Sequence, residues 1–143
     1  MGCRCRHGAL PGGSVSRCCL SCVFHPSSLD ARLPHKSATH KMPEKDFEIW
    51  INETTSIRIR RVTQSGRLAS FSVVLITLHG EEWIDVCRFD TAHGCPHQDI
   101  IGKNGGLLQK VWYDQLTPKE VFSLAITKFQ NEHERIKSNY FAH

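Results

Sequence analysis

Residues 68–78, which read LASFSVVLITL, decide the fold of this chain. The two alternating sets of side chains are both apolar: Phe71, Val73 and Leu75 on one face, and Val74, Ile76 and Leu78 on the other. β-Branched and aromatic residues with a period of two predict a β-strand. Because a strand that is apolar on both faces is buried on both, we place it centrally in a sheet.

Shorter alternating segments flank this strand on both sides. Segments 47–51 and 57–60 precede it, and segment 83–89 follows it. Connections such as Gln64-Ser65-Gly66-Arg67 are short enough for hairpins, so the strands form an antiparallel β-meander. Segment 107–113 adds a further strand, which gives four to five strands in all.

A long C-terminal α-helix completes the predicted domain. Thr117-Pro118-Lys119-Glu120 is a capping box with proline at the first helical position. Apolar and aromatic side chains then recur every three or four residues: Phe122, Ala125, Ile126, Phe129, His133, Ile136 and Tyr140. This stripe can cover one face of the sheet, so the fold class is α+β: an antiparallel meander packed by one helix.

Composition divides the chain at Met42. Residues 1–41 hold five of the seven cysteines and six basic side chains against one acidic one, whereas residues 42–143 hold twelve basic and thirteen acidic side chains. We expect residues 1–41 to be a disordered, Cys/Arg-rich extension, and residues 42–143 to be a single domain. The abrupt change indicates that Met42 is the true start. The near-neutral domain excludes a strongly basic nucleic-acid footprint.

The chain offers no apolar run long enough to span a membrane and no convincing secretory signal. We therefore expect a cytoplasmic protein with reduced thiols. The cysteine spacing in the extension does not match a structural zinc site.

One loop concentrates the side chains that carry chemistry, Asp90-Thr91-Ala92-His93-Gly94-Cys95-Pro96-His97-Gln98-Asp99. Four interpretations remain open. In the first, the loop is a structural turn. In the second, His93 and His97 act as acid and base, and Asp90 and Asp99 orient their rings. In the third, these four residues bind a divalent metal ion, and in the fourth, Cys95 is a nucleophile beside a histidine.

The stretch 86–100, with Asp-Thr-Ala-His-Gly followed by a histidine and an aspartate, resembles a family of small prokaryotic domains of unknown function. The resemblance covers about residues 57–140. The layout is more distantly similar to TumE-type toxins of toxin–antitoxin pairs, in which an aspartate and paired histidines also follow a strand. The resemblance implies the same fold and a toxin-like activity.

The leading hypothesis is a toxin-like, RNA-cleaving protein with His93, His97, Asp90 and Asp99 as catalytic residues. Arg58 and Arg60 bind the phosphates, and no metal or other cofactor is assigned. Its partner would be a cognate antitoxin-like protein or RNA, and no membrane is involved. The alternative is a non-catalytic interaction domain in which the His/Asp loop is structural.

The proposed start at Met42 predicts the mass of the natively expressed protein. Intact mass spectrometry should give the mass of residues 42–143, because translation would begin at Met42. A mass that matches initiation at Met1 would contradict the hypothesis.

Overall fold

The computed structural model describes residues 42–143, and the predicted extension 1–41 lies outside the described residues. The elements are β1 (Glu44–Asn52), β2 (Thr55–Gln64), β3 (Arg67–His79), β4 (Glu82–Asp90), β5 (His97–Ile101), β6 (Leu107–Trp112) and α1 (Pro118–Ala142). The strands form one antiparallel sheet in chain order, β1 to β6. The α+β class and the meander are therefore confirmed.

Residues 42–143 form six strands, so the prediction of four to five strands is wrong. The additional strand is β5, which begins inside the predicted loop 90–99. It has only five residues and begins with the polar run His97-Gln98-Asp99, so it lacks the apolar alternation that marks the other strands. Its pairing with both neighbours, rather than its own side-chain pattern, makes it a strand.

The β2–β3 connection is a two-residue hairpin. Ser65 and Gly66 have left-handed φ values of 50° and 74°. Positive φ at both central positions is the geometry of a primed turn, whose twist matches that of the flanking strands.

Helix α1 packs on one face of the sheet, which we call the inner face. Its capping box is present, with the Thr117 hydroxyl accepting from the Glu120 amide and the Glu120 carboxylate accepting from the Thr117 amide. The core lies between the helix and the inner face, and its helical members are Val121, Ala125, Phe129, Ile136 and Tyr140. Phe129 meets Phe89 of β4 edge to face, with ring centroids 5.4 Å apart.

The opposite face of the sheet, here the outer face, is covered by no helix of residues 42–143 and is mostly polar. It contains two rows of directly paired residues that cross all six strands. One row is Glu48, Arg58, Val74, Arg88, Asp99 and Lys110. The other is Asp46, Arg60, Ser72, Asp90, His97 and Trp112. Within residues 42–143, no helix is long and apolar enough to cross a membrane.

The core predicts a large cost for truncating Phe129. Phe129→Ala should lower the free energy of unfolding by about 3–5 kcal/mol, because the ring is fully buried and its loss leaves a cavity. The neighbouring exposed Gln130 is the control, and Gln130→Ala should change stability by less than about 0.5 kcal/mol. Urea unfolding followed by circular dichroism measures both, and equal stabilities for the two variants would contradict the packing assigned here.

Candidate functional site

The register of β4, β5 and β6 brings the polar residues of the outer face together. Asp90 lies directly opposite His97, and Arg88 lies directly opposite Asp99. On the far side of β5, Asp99 faces Lys110. Directly paired side chains share a face and lie close together, so these five residues form one group. We call Arg88, Asp90, His97, Asp99 and Lys110 the ionic cluster.

The imidazole of His97 is at the centre of the ionic cluster and is only 1% exposed. Its Nδ1 lies 3.1 Å from the carbonyl oxygen of Cys95, an acceptor, so Nδ1 carries a proton and donates it. Its Nε2 lies 3.1 Å from Asp90 Oδ1 and 3.7 Å from Asp99 Oδ1. Both ring nitrogens are therefore engaged within the protein, and neither faces solvent.

The carboxylate of Asp90 organises the turn that follows β4. Asp90 Oδ1 accepts the Ala92 amide proton at 2.9 Å, which is an Asx-turn. The Gly94 amide then donates a hydrogen bond to the Thr91 carbonyl oxygen, and Gly94 has a φ of 82°. That left-handed conformation favours glycine. The turn places His93 on the same side as His97.

The carboxylate of Asp99 is 3% exposed and is held by two cations. Arg88 Nη2 lies 2.8 Å from Asp99 Oδ2, and Lys110 Nζ lies 2.9 Å from Asp99 Oδ1. Burial alone would raise the pKa of Asp99, but the hydrogen bond from Arg88 and the positive charges of Lys110 and His97 lower it below its ordinary value. Asp99 is therefore ionised at neutral pH.

Arg88 joins the two carboxylates through its guanidinium. Its Nε lies 3.0 Å from Asp90 Oδ2, while its Nη2 contacts Asp99 Oδ2. The hydrogen bond to Asp99 and the neighbouring carboxylates raise the pKa of Arg88, against the opposing effect of partial burial. The guanidinium therefore donates a hydrogen bond to Asp99 through Nη2, whereas its Nε is paired with Asp90 by charge, without hydrogen-bond geometry.

His93 is the exposed histidine of the site. Its ring stacks on that of His97, with centroids 5.5 Å apart and planes 25° from parallel. Both histidines line a cleft of about 640 Å³, together with Arg88, Asp90, Asp99 and Lys110. The cleft continues past the end of the β4–β5 pairing, where Ile84, Ile101 and Tyr140 line it. One end of the cleft is thus ionic and the other is apolar.

The structure brings Asp90, His93, His97 and Asp99 together, as the sequence analysis expected. It does not bring Arg58 and Arg60 to the cleft, because both lie on β2, two strands from Arg88. Arg60 Nε is also paired, lying 3.1 Å from carboxylate oxygens of both Asp46 and Glu44. Their assignment to phosphate binding stays a prediction.

Sequence reasoning missed Arg88 and Lys110. Arg88 precedes Asp90 by two positions in a strand, so the period-two rule could have placed both on one face. Lys110 has no comparable signal, because its place opposite Asp99 follows from the β5–β6 register, and β5 itself was not predicted. Cys95, the candidate nucleophile, is 2% exposed and does not line the cleft.

The comparisons with known proteins identify the family. A family model described as a domain of unknown function, DUF7718, matches residues 42–143, and the chain belongs to that family. The expected resemblance to a family of unknown function is therefore confirmed. No curated protein and no solved structure matches the chain. The similarity to TumE-type toxins gains no support from these comparisons and stays a proposal.

The lowered pKa of Asp99 predicts how its contribution to stability depends on pH. Near pH 7, Asp99→Asn should cost on the order of 2 kcal/mol, because the ion pairs with Arg88 and Lys110 are lost. A carboxyl group whose pKa is lowered by folding stabilises the protein above its ordinary pKa, near 3.8, and that stabilisation is lost as the pH falls through the folded-state pKa. The difference in stability between the two proteins should therefore shrink progressively as the pH falls below 3.8.

Urea unfolding at several pH values measures this difference. Glu81→Gln is the control, because Glu81 lies exposed in the β3–β4 turn and has no ion pair within residues 42–143. A deficit for Asp99→Asn that stays constant from neutral to acidic pH would show that Asp99 acts through packing and not through its charge.

Proposed function

We propose that this domain cleaves single-stranded RNA in the cleft beside the ionic cluster. One observation carries the proposal: an exposed histidine, His93, stacks on a buried histidine at the mouth of a cleft that also presents Arg88 and Lys110. A histidine can exchange a proton near neutral pH, and two fixed cations can bind a phosphodiester.

His93 takes the proton from the 2′-hydroxyl in this mechanism. The resulting 2′-oxygen attacks the phosphorus, the bond from phosphorus to the 5′-oxygen breaks, and a 2′,3′-cyclic phosphate forms. Arg88 contacts the non-bridging oxygens, and the Lys110 ammonium donates a proton to the departing 5′-oxygen. Protons and electrons balance, and the nucleophile is internal to the substrate, so no second reactant is needed.

His97 is a positioning residue in this proposal, because both its nitrogens are engaged within the protein. Asp90 holds the His97 ring and shapes the turn that carries His93, while Asp99 holds Arg88 and Lys110. This refines the acid and base roles first assigned to the two histidines. Pre-set positions lower the entropic cost of assembling the reacting groups.

The cations of β2 extend the same proposal. Arg58 is exposed on the outer face, in the row that also contains Arg88, and it can contact a phosphate outside the cleft. Arg60 would have to exchange Asp46 and Glu44 for such a phosphate. Because an RNA-cleaving activity endangers the cell that makes it, an antitoxin-like partner remains part of the proposal, as does a cytoplasmic site of action.

A second candidate function is a non-catalytic interaction domain in which the His/Asp loop is structural. The observation that favours it is an exposed aromatic pair on the outer face, Trp50 and Trp83, which are 57% and 44% exposed. Their rings meet edge to face at a centroid distance of 5.5 Å. Exposed tryptophans are typical of binding surfaces.

The RNA proposal predicts a specific loss of activity in His93→Gln. The full chain should cleave a fluorescently labelled single-stranded RNA and leave a 2′,3′-cyclic phosphate, while DNA of the same sequence stays intact because it lacks the 2′-hydroxyl. His93→Gln should reduce the rate by about a hundredfold or more, the usual contribution of a proton-transfer residue.

His79→Gln is the matched control, because His79 is also exposed but lies at the C-terminal end of β3, away from Ser72 and Val74, which pair with Asp90 and Arg88. It should cleave at the parental rate. Equal rates for His93→Gln and the parent, or equal cleavage of DNA, would refute the mechanism. A folded parent that cleaves no RNA would favour the interaction domain.

A further inference from the structure

We propose that the ionic cluster contains a binding position for one divalent transition-metal ion, held by His97 Nε2, Asp90 Oδ1 and Asp99 Oδ1. Each of the three residues offers one ligand atom within 4.8 Å of those of the other two, and all three residues are buried. The proposal concerns residues of the candidate site but does not depend on RNA cleavage, because it is a statement about ion binding alone.

The contact between His97 Nδ1 and the Cys95 carbonyl oxygen sets the orientation of the ring. Because Nδ1 donates to the Cys95 carbonyl, a neutral ring has its lone pair on Nε2. That lone pair would then face Asp90 Oδ1 across 3.1 Å, and two acceptors at that distance repel each other. The contact therefore requires a cation between them, either a proton on Nε2 or a metal ion.

The spacing of the three atoms suits a metal ion. Ligand atoms about 2.1 Å from a common ion are roughly 3.0–3.4 Å apart in octahedral or tetrahedral arrangements. The distance from His97 Nε2 to Asp90 Oδ1, 3.1 Å, lies within this range, and the distance to Asp99 Oδ1, 3.7 Å, is somewhat longer. One imidazole and two carboxylates are ligands that manganese, iron and zinc accept.

The groups around the three ligand atoms also resemble those of a metal site. A metal-binding histidine usually donates its second ring proton to a carbonyl or carboxylate, as His97 does to Cys95. Arg88 contacts the outer oxygen, Oδ2, of both carboxylates, so both Oδ1 atoms are left facing His97. Asp99 Oδ1 is buried and, within residues 42–143, receives no hydrogen bond of good geometry.

Lys110 is the competitor for this position. Its ammonium nitrogen lies 2.9 Å from Asp99 Oδ1, so it supplies the positive charge that an ion would otherwise bring. The lysine side chain is 23% exposed and lines the cleft, which gives it room to move when an ion enters. Removing this charge should therefore strengthen ion binding.

Titration of the full chain with Mn²⁺, followed by electron paramagnetic resonance, tests the proposal. Manganese is the suitable probe because it prefers oxygen and imidazole ligands, whereas zinc would also bind the five cysteines among residues 1–41. The parent should bind one Mn²⁺, with a nitrogen hyperfine coupling from one imidazole. Lys110→Met should bind about tenfold more tightly, because a unit charge beside the ion is gone.

His97→Gln should abolish the nitrogen coupling, whereas His93→Gln, which removes the stacked but exposed histidine, should keep it. Because His97 is buried and its substitution endangers the fold, Asp99→Asn provides a second variant and should weaken binding at least tenfold. Absence of Mn²⁺ binding in both the parent and Lys110→Met would overturn the proposal. So would a nitrogen coupling that disappears with His93 and survives without His97. The titration contains no RNA, so its outcome is independent of whether RNA is cleaved.

Discussion

The bridge that Arg88 makes between Asp90 and Asp99 is the interaction on which the site depends. It joins adjacent strands, and it contacts the Oδ2 atom of each carboxylate, while both Oδ1 atoms face His97. Two buried carboxylates on neighbouring strands would repel each other without a cation between them. The guanidinium therefore allows both carboxylates to be buried where β4 pairs with β5.

The two faces of the sheet have different roles. The inner face and helix α1 bury the apolar side chains that stabilise the fold. In the described part of the chain, no helix covers the outer face, which carries the charged rows. Alternation along each strand makes this division possible, because neighbouring residues point to opposite faces. In β5, for example, His97 and Asp99 join the ionic cluster while Gln98 lies on the inner side, bonded to Cys87 Sγ and Tyr113.

The parts of the fold with a local signal could be predicted from the sequence. The apolar alternation of β3 and the capping box at Thr117 each depend on a few adjacent residues, and both appear as expected. β5 could not be predicted in this way, because His97, Gln98 and Asp99 are buried polar residues whose partners lie on other strands. The same reason explains the site: one loop contains its histidines and aspartates, but Lys110 joins them only through the register of a strand that was missed.

Lys110 lies on a less firmly held strand, β6, than the other four residues of the cluster. The other four cluster residues lie on β4 and β5, which have a neighbour on each side. Among the strands of residues 42–143, β6 is an edge strand that pairs only with β5. Edge strands open more readily than central ones, since fewer hydrogen bonds and packed side chains must separate. Fraying of β6 would withdraw one cation from Asp99 while the other four residues kept their places. Local opening of β6 would therefore change the net charge of the cluster by one unit.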